Sequence, residues 1–229
     1  MDRRLLLKRV LAYLIDMLIV TLFVSLLSRV PLLNPSIDNY QKEYKDFTKV
    51  VEKYQNKKIS KKEYEKKYNK TYYKIQKYSV YGNVINVVII VLYFGCFQTI
   101  TKGQTVGKKI MKFQVVDKNG KDAKWYQYFI RSVFLYSFLY YILLSCGVLL
   151  LSIKTFSYYS STVYYLNMML EVAIFYLVYT REDGRGLHDL IASTKVVYIG
   201  EDKEVIKDVE IIEEKPKKAT KSVKKSKEN

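Results

Sequence analysis

Residues 9–27 read RVLAYLIDMLIVTLFVSLL, an apolar run that begins with an arginine and contains a single carboxylate, Asp16. A helix needs about 20 apolar residues to cross the hydrocarbon of a bilayer, so this length predicts a membrane-spanning helix. Arg9 and Asp16 are seven positions apart, nearly two helical turns, and therefore project from the same face. Because a carboxylate in such a run is costly to bury, Asp16 is the first candidate functional residue.

The composition places the whole chain among membrane proteins. Its 229 residues combine 49% hydrophobic residues with a net charge of +17, and the charges are concentrated between the apolar runs. Soluble domains distribute charge over all their elements, so this segregation indicates an all-α polytopic membrane protein. Four apolar segments are long enough to be transmembrane helices: 10–27, 84–100, 132–153 and 162–179.

Four spans would place both termini on one side of the membrane. The basic residues around the start of the first span are Arg3, Arg4, Lys8 and Arg9. Residues 101–128 contain seven lysines against two aspartates. An excess of Lys and Arg in short segments marks the cytoplasmic side, so we expect a multi-pass protein of the inner or plasma membrane with both termini inside. The long first loop, 28–81, is also basic and argues against this assignment.

The chain divides into four parts. Residues 1–28 hold the basic flank and the first span, 29–81 an insertion outside the membrane, and 82–200 the rest of the membrane domain. Residues 201–229 are first acidic and then rich in lysine. Such a tail cannot bury a core, so we expect it to be disordered, and it is a candidate for contact with anionic lipid.

The insertion is expected to form an external helical hairpin with two amphipathic helices. Aromatic residues recur there at helical spacing: Tyr40, Tyr44, Phe47 and Tyr54, then Tyr64, Tyr68 and Tyr72. Ser60-x-x-Glu63 has the pattern of a capping box at the start of the second helix. Packing of the two stripes against each other is the simpler interpretation. The alternative is a basic, tyrosine-rich surface for an anionic polymer or lipid headgroup.

Residues 103–109 read GQTVGKK, which invites comparison with a phosphate-binding loop. The glycine spacing is one residue short, and Lys109 stands where Ser or Thr would bind magnesium. The segment is better interpreted as a tight turn before a short amphipathic helix, followed by an extended piece and a turn at Asn119 and Gly120. The residues of this motif turn are Gly103, Gln104, Thr105, Gly107 and Lys108.

The sequence predicts neither an enzyme nor a resident cofactor. It contains no motif for hydrolysis, hydride transfer or phosphoryl transfer. Cys96 and Cys146 lie in apolar runs, and there is one histidine, so no metal site is expected. His188 and Asp189 are adjacent and cannot face each other on a helix. Asp189 is instead expected to cap this segment or to form a salt bridge within it, with Arg185, four residues earlier, as the partner.

A second carboxylate, Glu171, lies in the fourth apolar segment. Burying an ionised carboxylate in hydrocarbon costs about 2.5–3.5 kcal/mol, so Asp16 and Glu171 should each face protein, water or a cation. Similar depth suggests a shared polar pocket for these candidates: Asp16, Glu171, Asn86 and Asn167, with Asn83 and Arg131 nearby. In one interpretation Asp16 pairs with an arginine and only holds helices together. In the other it binds and releases a proton or small cation.

The motifs together resemble the RDD family of prokaryotic membrane proteins. They are Arg9-x-x-Ala12-x-x-Ile15-Asp16, the motif turn with Val115-Val116-Asp117 behind it, Arg131-Ser132, and GLHDLIASTKVV at 186–197. The arginine and two aspartates of the family name correspond to Arg9, Asp16 and Asp189, and Arg131 is a further motif charge. The resemblance implies a polytopic helical domain and a role in transport, with some members thought to exchange sodium or other monovalent cations for protons. The insertion and the basic tail depart from the compact family pattern.

Two functions remain open from the sequence. The first is transport of a small ion or solute with Asp16 as the protonatable or cation-binding group. The second is a non-transporting accessory or scaffold protein that recruits partners through the hairpin and tail. The expected partners are the lipid bilayer, a small cation or solute, and further copies of the chain, since four helices are few for an alternating-access path. Nucleic acid is not expected.

Overall fold

The computed structural model describes residues 3–200, which are almost entirely helical. The helices are α1 (Arg3–Leu27), α2 (Ile37–Gln55), α3 (Lys61–Tyr78), α4 (Val80–Ile90), α5 (Gln98–Ile100), α6 (Val106–Ile110), α7 (Trp125–Leu135), α8 (Phe138–Leu150), α9 (Ile153–Thr180) and α10 (Leu187–Ala192). A π-helical segment, Val91–Phe97, joins α4 to α5, and the strands are β1 (Phe113–Asp117) and β2 (Thr194–Tyr198). The tail predicted at 201–229 lies outside the described residues.

Three stretches in this part of the chain are long and apolar enough to cross a membrane, and they are Arg4–Leu27, Val80–Ile100 and Ile153–Thr180. The pair α7 and α8, bent by 62°, makes a fourth if it counts as one span. The outward faces of these helices expose large aliphatic side chains such as Leu18 and Val172, which are both 62% exposed. An apolar surface of this kind suits contact with lipid, so the predicted all-α membrane fold is confirmed.

The third span differs from its prediction. Residues 132–153 were expected to form one continuous helix, but the chain bends at Ser137, whose φ is 54°. Tyr136, just before the bend, is buried, and its ring stacks on Phe94 with a centroid distance of 3.4 Å. Together with Val20 and Ile90 it forms the core between α1, the second span and α7. The bend therefore places an aromatic ring in the core that a straight helix would carry elsewhere.

The fourth span is longer than predicted. Residues 154–161 were interpreted as a connection, but α9 already begins at Ile153, with the Ser152 hydroxyl accepting a hydrogen bond from the Thr155 amide. The hydroxyl groups in this stretch bond within the helix, as Ser161 does to the carbonyl of Ser157. Hydroxyl side chains satisfied in this way do not stop a helix, which is why a polar composition did not mark a loop here.

The predicted helical hairpin is confirmed. The ring of Tyr54 on α2 stacks on Tyr64 of α3 at 4.3 Å, and the Ser60 hydroxyl caps α3 by accepting a hydrogen bond from the Glu63 amide. Mutual packing of the aromatic stripes therefore holds the hairpin together. Its base joins the bundle, because the Tyr73 hydroxyl donates to backbone carbonyls in and just after α8, at 3.1 and 3.2 Å.

A small antiparallel sheet links the segment after the second span to the segment after α9. Its register runs from Phe113 opposite Tyr198 to Asp117 opposite Thr194. Both extended pieces were expected, and the turn before α7 contains Gly120 at φ 85° as the Asn-Gly pair predicted. Their pairing with each other was not expected. It brings the motif turn and the final motif of the chain to the same end of α1.

Candidate functional site

Asp16 is fully buried and accepts three hydrogen bonds from residues far along the chain. The Tyr93 hydroxyl donates to its Oδ1 at 2.8 Å, the Gly107 amide to the same oxygen at 2.8 Å, and the Thr105 hydroxyl to Oδ2 at 2.5 Å. The motif turn thus folds around the carboxylate of α1. This contact joins two motifs that lie about 90 residues apart in the sequence.

Close approach of α6 to α1 depends on Gly107. A Cβ atom at this position would lie 2.2 Å from the carbonyl oxygen of Ala12 and 2.9 Å from Oδ1 of Asp16. Real Cβ atoms do not come so close to a backbone oxygen, so only glycine lets the amide reach the carboxylate. Thr105 begins the helix, since its hydroxyl accepts a hydrogen bond from the Lys108 amide while donating to Asp16.

Lys108 is the counter-charge of Asp16. Its Nζ lies 3.6 Å from Oδ2 of Asp16 and donates to the Thr105 hydroxyl at 3.1 Å. The pKa of Lys108 is lowered to about 7, chiefly by burial; the charge of Asp16 raises it, and the positive charges of Arg131 and Arg9 add to the lowering. An ammonium group with this pKa exchanges its proton near neutral pH, unlike an ordinary lysine.

A second buried cluster surrounds Asp189. Arg9 binds its Oδ2 at 2.8 Å and Arg131 binds its Oδ1, while Thr194 donates to Oδ1 at 3.0 Å. The backbone amide of Gly186 also donates to Oδ2 at 3.3 Å. One carboxylate therefore joins α1, α7, α10 and β2.

The predicted cap is confirmed, because Asp189 accepts a hydrogen bond from the Gly186 amide at the start of α10, but the predicted salt bridge between Asp189 and Arg185 is wrong. Arg185 Nε binds Asp183 at 2.8 Å in the exposed turn after α9, whereas the Asp189 side chain points inward. Spacing along α10 favoured the local partner. The two arginines from α1 and α7 compensate the buried charge, which one partly exposed arginine on the outside would not do.

His188 is buried beside this cluster without a hydrogen bond. Its Nε2 lies 3.2 Å from Oδ2 of Asp189, but neither ring nitrogen has a hydrogen-bond partner among the described residues. Burial lowers the pKa of His188 well below its ordinary value, and the nearby positive charges of Arg131, Arg9 and Lys108 add to this. The imidazole is therefore neutral.

A cavity of about 310 Å³ opens beside the two clusters, between α1, α7 and α9. Its basic floor consists of Arg9, Lys108, Arg131 and His188. Its apolar walls include Leu6, Val10, Leu14, Leu135, Ile174, Phe175 and Val178. Lys108 thus lines the cavity, while its Nζ lies beside Asp16 and Thr105 and 5.7 Å from the centroid of the Phe94 ring.

The shared pocket expected for Asp16 and Glu171 is not present. Glu171 is exposed on α9, where Ser137 and Asn167 each donate a hydrogen bond to its Oε1 at 2.8 Å. It lines the cavity but does not belong to the cluster around Asp16. Asn86 is half-buried on α4 and belongs to neither cluster. Asp16 and Glu171 were expected at similar depth in the membrane, but their side chains point in different directions.

The hypothesis that Asp16 pairs with an arginine is also wrong, because its partner is Lys108. Arg9, from the same helix face, and Arg131 both bind Asp189 instead. The charges of the family motifs thus lie in two neighbouring clusters, one around each aspartate.

For several residues of the site, the sequence did not indicate which side chain they contact. Lys108 and Thr105 belong to the motif turn, but nothing in that turn indicates contact with Asp16. Thr194 likewise lies in the final motif. Tyr93, in contrast, is one of many tyrosines in apolar segments, and no sequence signal marks it.

One comparison with known proteins gives a match. The sequence model described as RDD family matches residues 3–193 of the chain, which include both clusters and the motif turn. No curated protein and no solved structure matches the chain.

Proposed function

The chain belongs to the RDD family, and we propose that it exchanges a monovalent cation for a proton across the membrane, with Asp16 and Lys108 as the exchange pair. The observation that carries this proposal is the buried ion pair itself, whose lysine lines an open cavity. Ionisable residues within membrane proteins commonly mark ion pathways and proton relays.

The exchange follows from competition for one carboxylate. While Lys108 is protonated, its ammonium group at 3.6 Å neutralises Asp16. When Lys108 releases the proton to the cavity, Asp16 becomes a buried carboxylate without a counter-charge, which is strongly unfavourable. A monovalent cation then takes the place of the ammonium group, with the Thr105 hydroxyl as a second oxygen ligand. Return of the proton expels the cation.

The second cluster tunes this equilibrium. Arg9 and Arg131 stay charged and are held in place by Asp189. Burial is the main cause of the low pKa of Lys108, and the positive charges of the two arginines lower it as well, toward the pH at which exchange must operate. The Tyr93 hydroxyl keeps Asp16 in position throughout, because its bond to Oδ1 does not involve the proton that moves.

We further propose a location in the cell membrane with both termini in the cytoplasm and a homo-oligomeric assembly. The basic residues around the start of α1 support the orientation, which places the cavity near the cytoplasmic surface. The small number of spans supports the oligomer. Cysteine accessibility from either side of sealed vesicles tests the orientation. Cross-linking in membranes tests the homo-oligomer.

Proteoliposomes with an internal pH dye test the proposed exchange. We expect an imposed Na⁺ or K⁺ gradient to drive proton movement with the wild-type protein, and Asp16→Asn to abolish it. Asp183→Asn is the matched control, because Asp183 pairs only with arginines in an exposed turn. The proposal is wrong if the wild-type protein moves no protons, or if Asp16→Asn remains folded and transports normally.

A specific observation favours the alternative of an accessory or scaffold protein. Asp16 is satisfied by donors within the chain, as a purely structural carboxylate would be. On this view the hairpin recruits partners and transport is absent. Deletion of the distal half of the hairpin would then abolish partner recovery, whereas the exchange proposal predicts that it leaves ion flux unchanged.

A further inference from the structure

We propose that the cavity between α1 and α9 is a binding site for an anionic phospholipid, whose phosphate contacts the basic floor and whose acyl chain lies against the apolar walls. This site would bind a lipid, whereas the exchange pair would bind a cation. The proposal of a lipid site does not depend on the proposed transport. A protein that moves no ions would retain it.

The charge on the floor of the cavity favours an anion. The three basic side chains Arg9, Lys108 and Arg131 are opposed by only two buried carboxylates, Asp16 and Asp189. One positive charge is therefore uncompensated whenever Lys108 is protonated. Glu171 also lines the cavity, but it is exposed and occupied by two hydrogen bonds from its neighbours.

The walls have the opposite character and suit a hydrocarbon chain. Aliphatic and aromatic residues of α1, α7 and α9 form them, and the rim residues Leu14 and Phe175 are 54% and 58% exposed. Arg9 stands where the apolar run of α1 begins, which is the depth of lipid headgroups. A ligand with an anionic head at this level and an apolar tail deeper in the membrane matches both parts.

Lipid retention by the purified full-length protein tests the proposal. Native mass spectrometry in detergent, with phosphatidylglycerol and phosphatidylcholine titrated separately, should show about tenfold tighter binding of the anionic lipid. Leu14→Trp, which fills the mouth, should reduce that binding, and Leu18→Trp, one turn further along α1 and outside the cavity, should not. Equal binding of both lipids, or equal effects of the two tryptophan variants, would overturn the proposal.

Arg131→Lys examines the headgroup contact without removing the charge that balances Asp189. The variant lacks the planar guanidinium, which binds phosphate oxygens better than an ammonium group does, so it should weaken phosphatidylglycerol binding while the phosphatidylcholine signal stays the same. In a further experiment, inorganic phosphate is added as a competitor of the lipid. If it displaces phosphatidylglycerol at micromolar concentration, the cavity is a site for free anions and the proposed lipid is wrong. Unchanged lipid binding in a folded Arg131→Lys protein also contradicts the assignment.

Discussion

At the scale of single residues, the pair Asp16 and Lys108 gives the most direct energetic test. Lys108→Met leaves a buried carboxylate without its counter-charge, which costs about 3–5 kcal/mol of unfolding free energy. Asp16→Asn together with Lys108→Met removes both charges and should recover much of that loss. Denaturant unfolding of the single and double variants in the same detergent measures the coupling.

Lys109→Met is the control for this cycle, because Lys109 is the neighbouring, exposed lysine of α6. It should change the unfolding free energy by no more than about 0.5 kcal/mol. If the losses from Asp16→Asn and Lys108→Met simply add, the two side chains do not interact as the structure indicates.

The lowered pKa of Lys108 also predicts how stability depends on pH. Between about 7 and the ordinary value of 10.5, the unfolded chain holds a proton on this lysine that the folded chain has released. Stability contributed by Lys108 therefore rises with pH across this window, and the cost of its burial is complete below it. The unfolding temperature of wild type relative to Lys108→Met should increase from pH 7 to pH 9.5. A flat or falling difference would contradict the assigned pKa.

At the scale of elements, the contact between α1 and α6 depends on one glycine. Gly107→Ala would place a methyl group against the Ala12 carbonyl, so α6 must move away and release the hydrogen bonds to Asp16. We expect a loss of about 1–3 kcal/mol in unfolding free energy. Gly82→Ala is the matched control, since its Cβ would meet only Ser28 Oγ at 3.8 Å. Equal stability of the two variants would show that the close approach is not needed.

Elements that are determined by residues within their own segment could be predicted from the sequence. Elements that depend on contacts with a distant segment could not. The hairpin follows from its aromatic spacing and from the cap at Ser60, both of which lie within the segment. The bend at Ser137 has no comparable signal, because serine rarely takes a positive φ. It exists because Tyr136 packs against Phe94, a residue of another span. The pairing of β1 with β2 is hidden for the same reason.

At the scale of the whole molecule, α1 connects the two clusters. Arg9 binds the segment after α9, and Asp16 binds the segment after the second span, so one helix face gathers both. Sequence reasoning identified this face and the motif residues that meet it. It paired Asp16 with Glu171 by depth alone and Asp189 with Arg185 by spacing alone. Both pairings failed because position along a helix does not give the direction of its neighbours in the bundle.

The most direct test of the proposed exchange pair is the protonation of the Lys108 side chain itself. In nanodiscs, ¹⁵N-lysine NMR with Lys108→Arg for assignment would follow its titration with and without Na⁺. We predict a midpoint near pH 7 that falls when Na⁺ is added, because the cation and the proton compete for Asp16. A lysine that stays protonated above pH 9 and does not respond to Na⁺ would contradict the account.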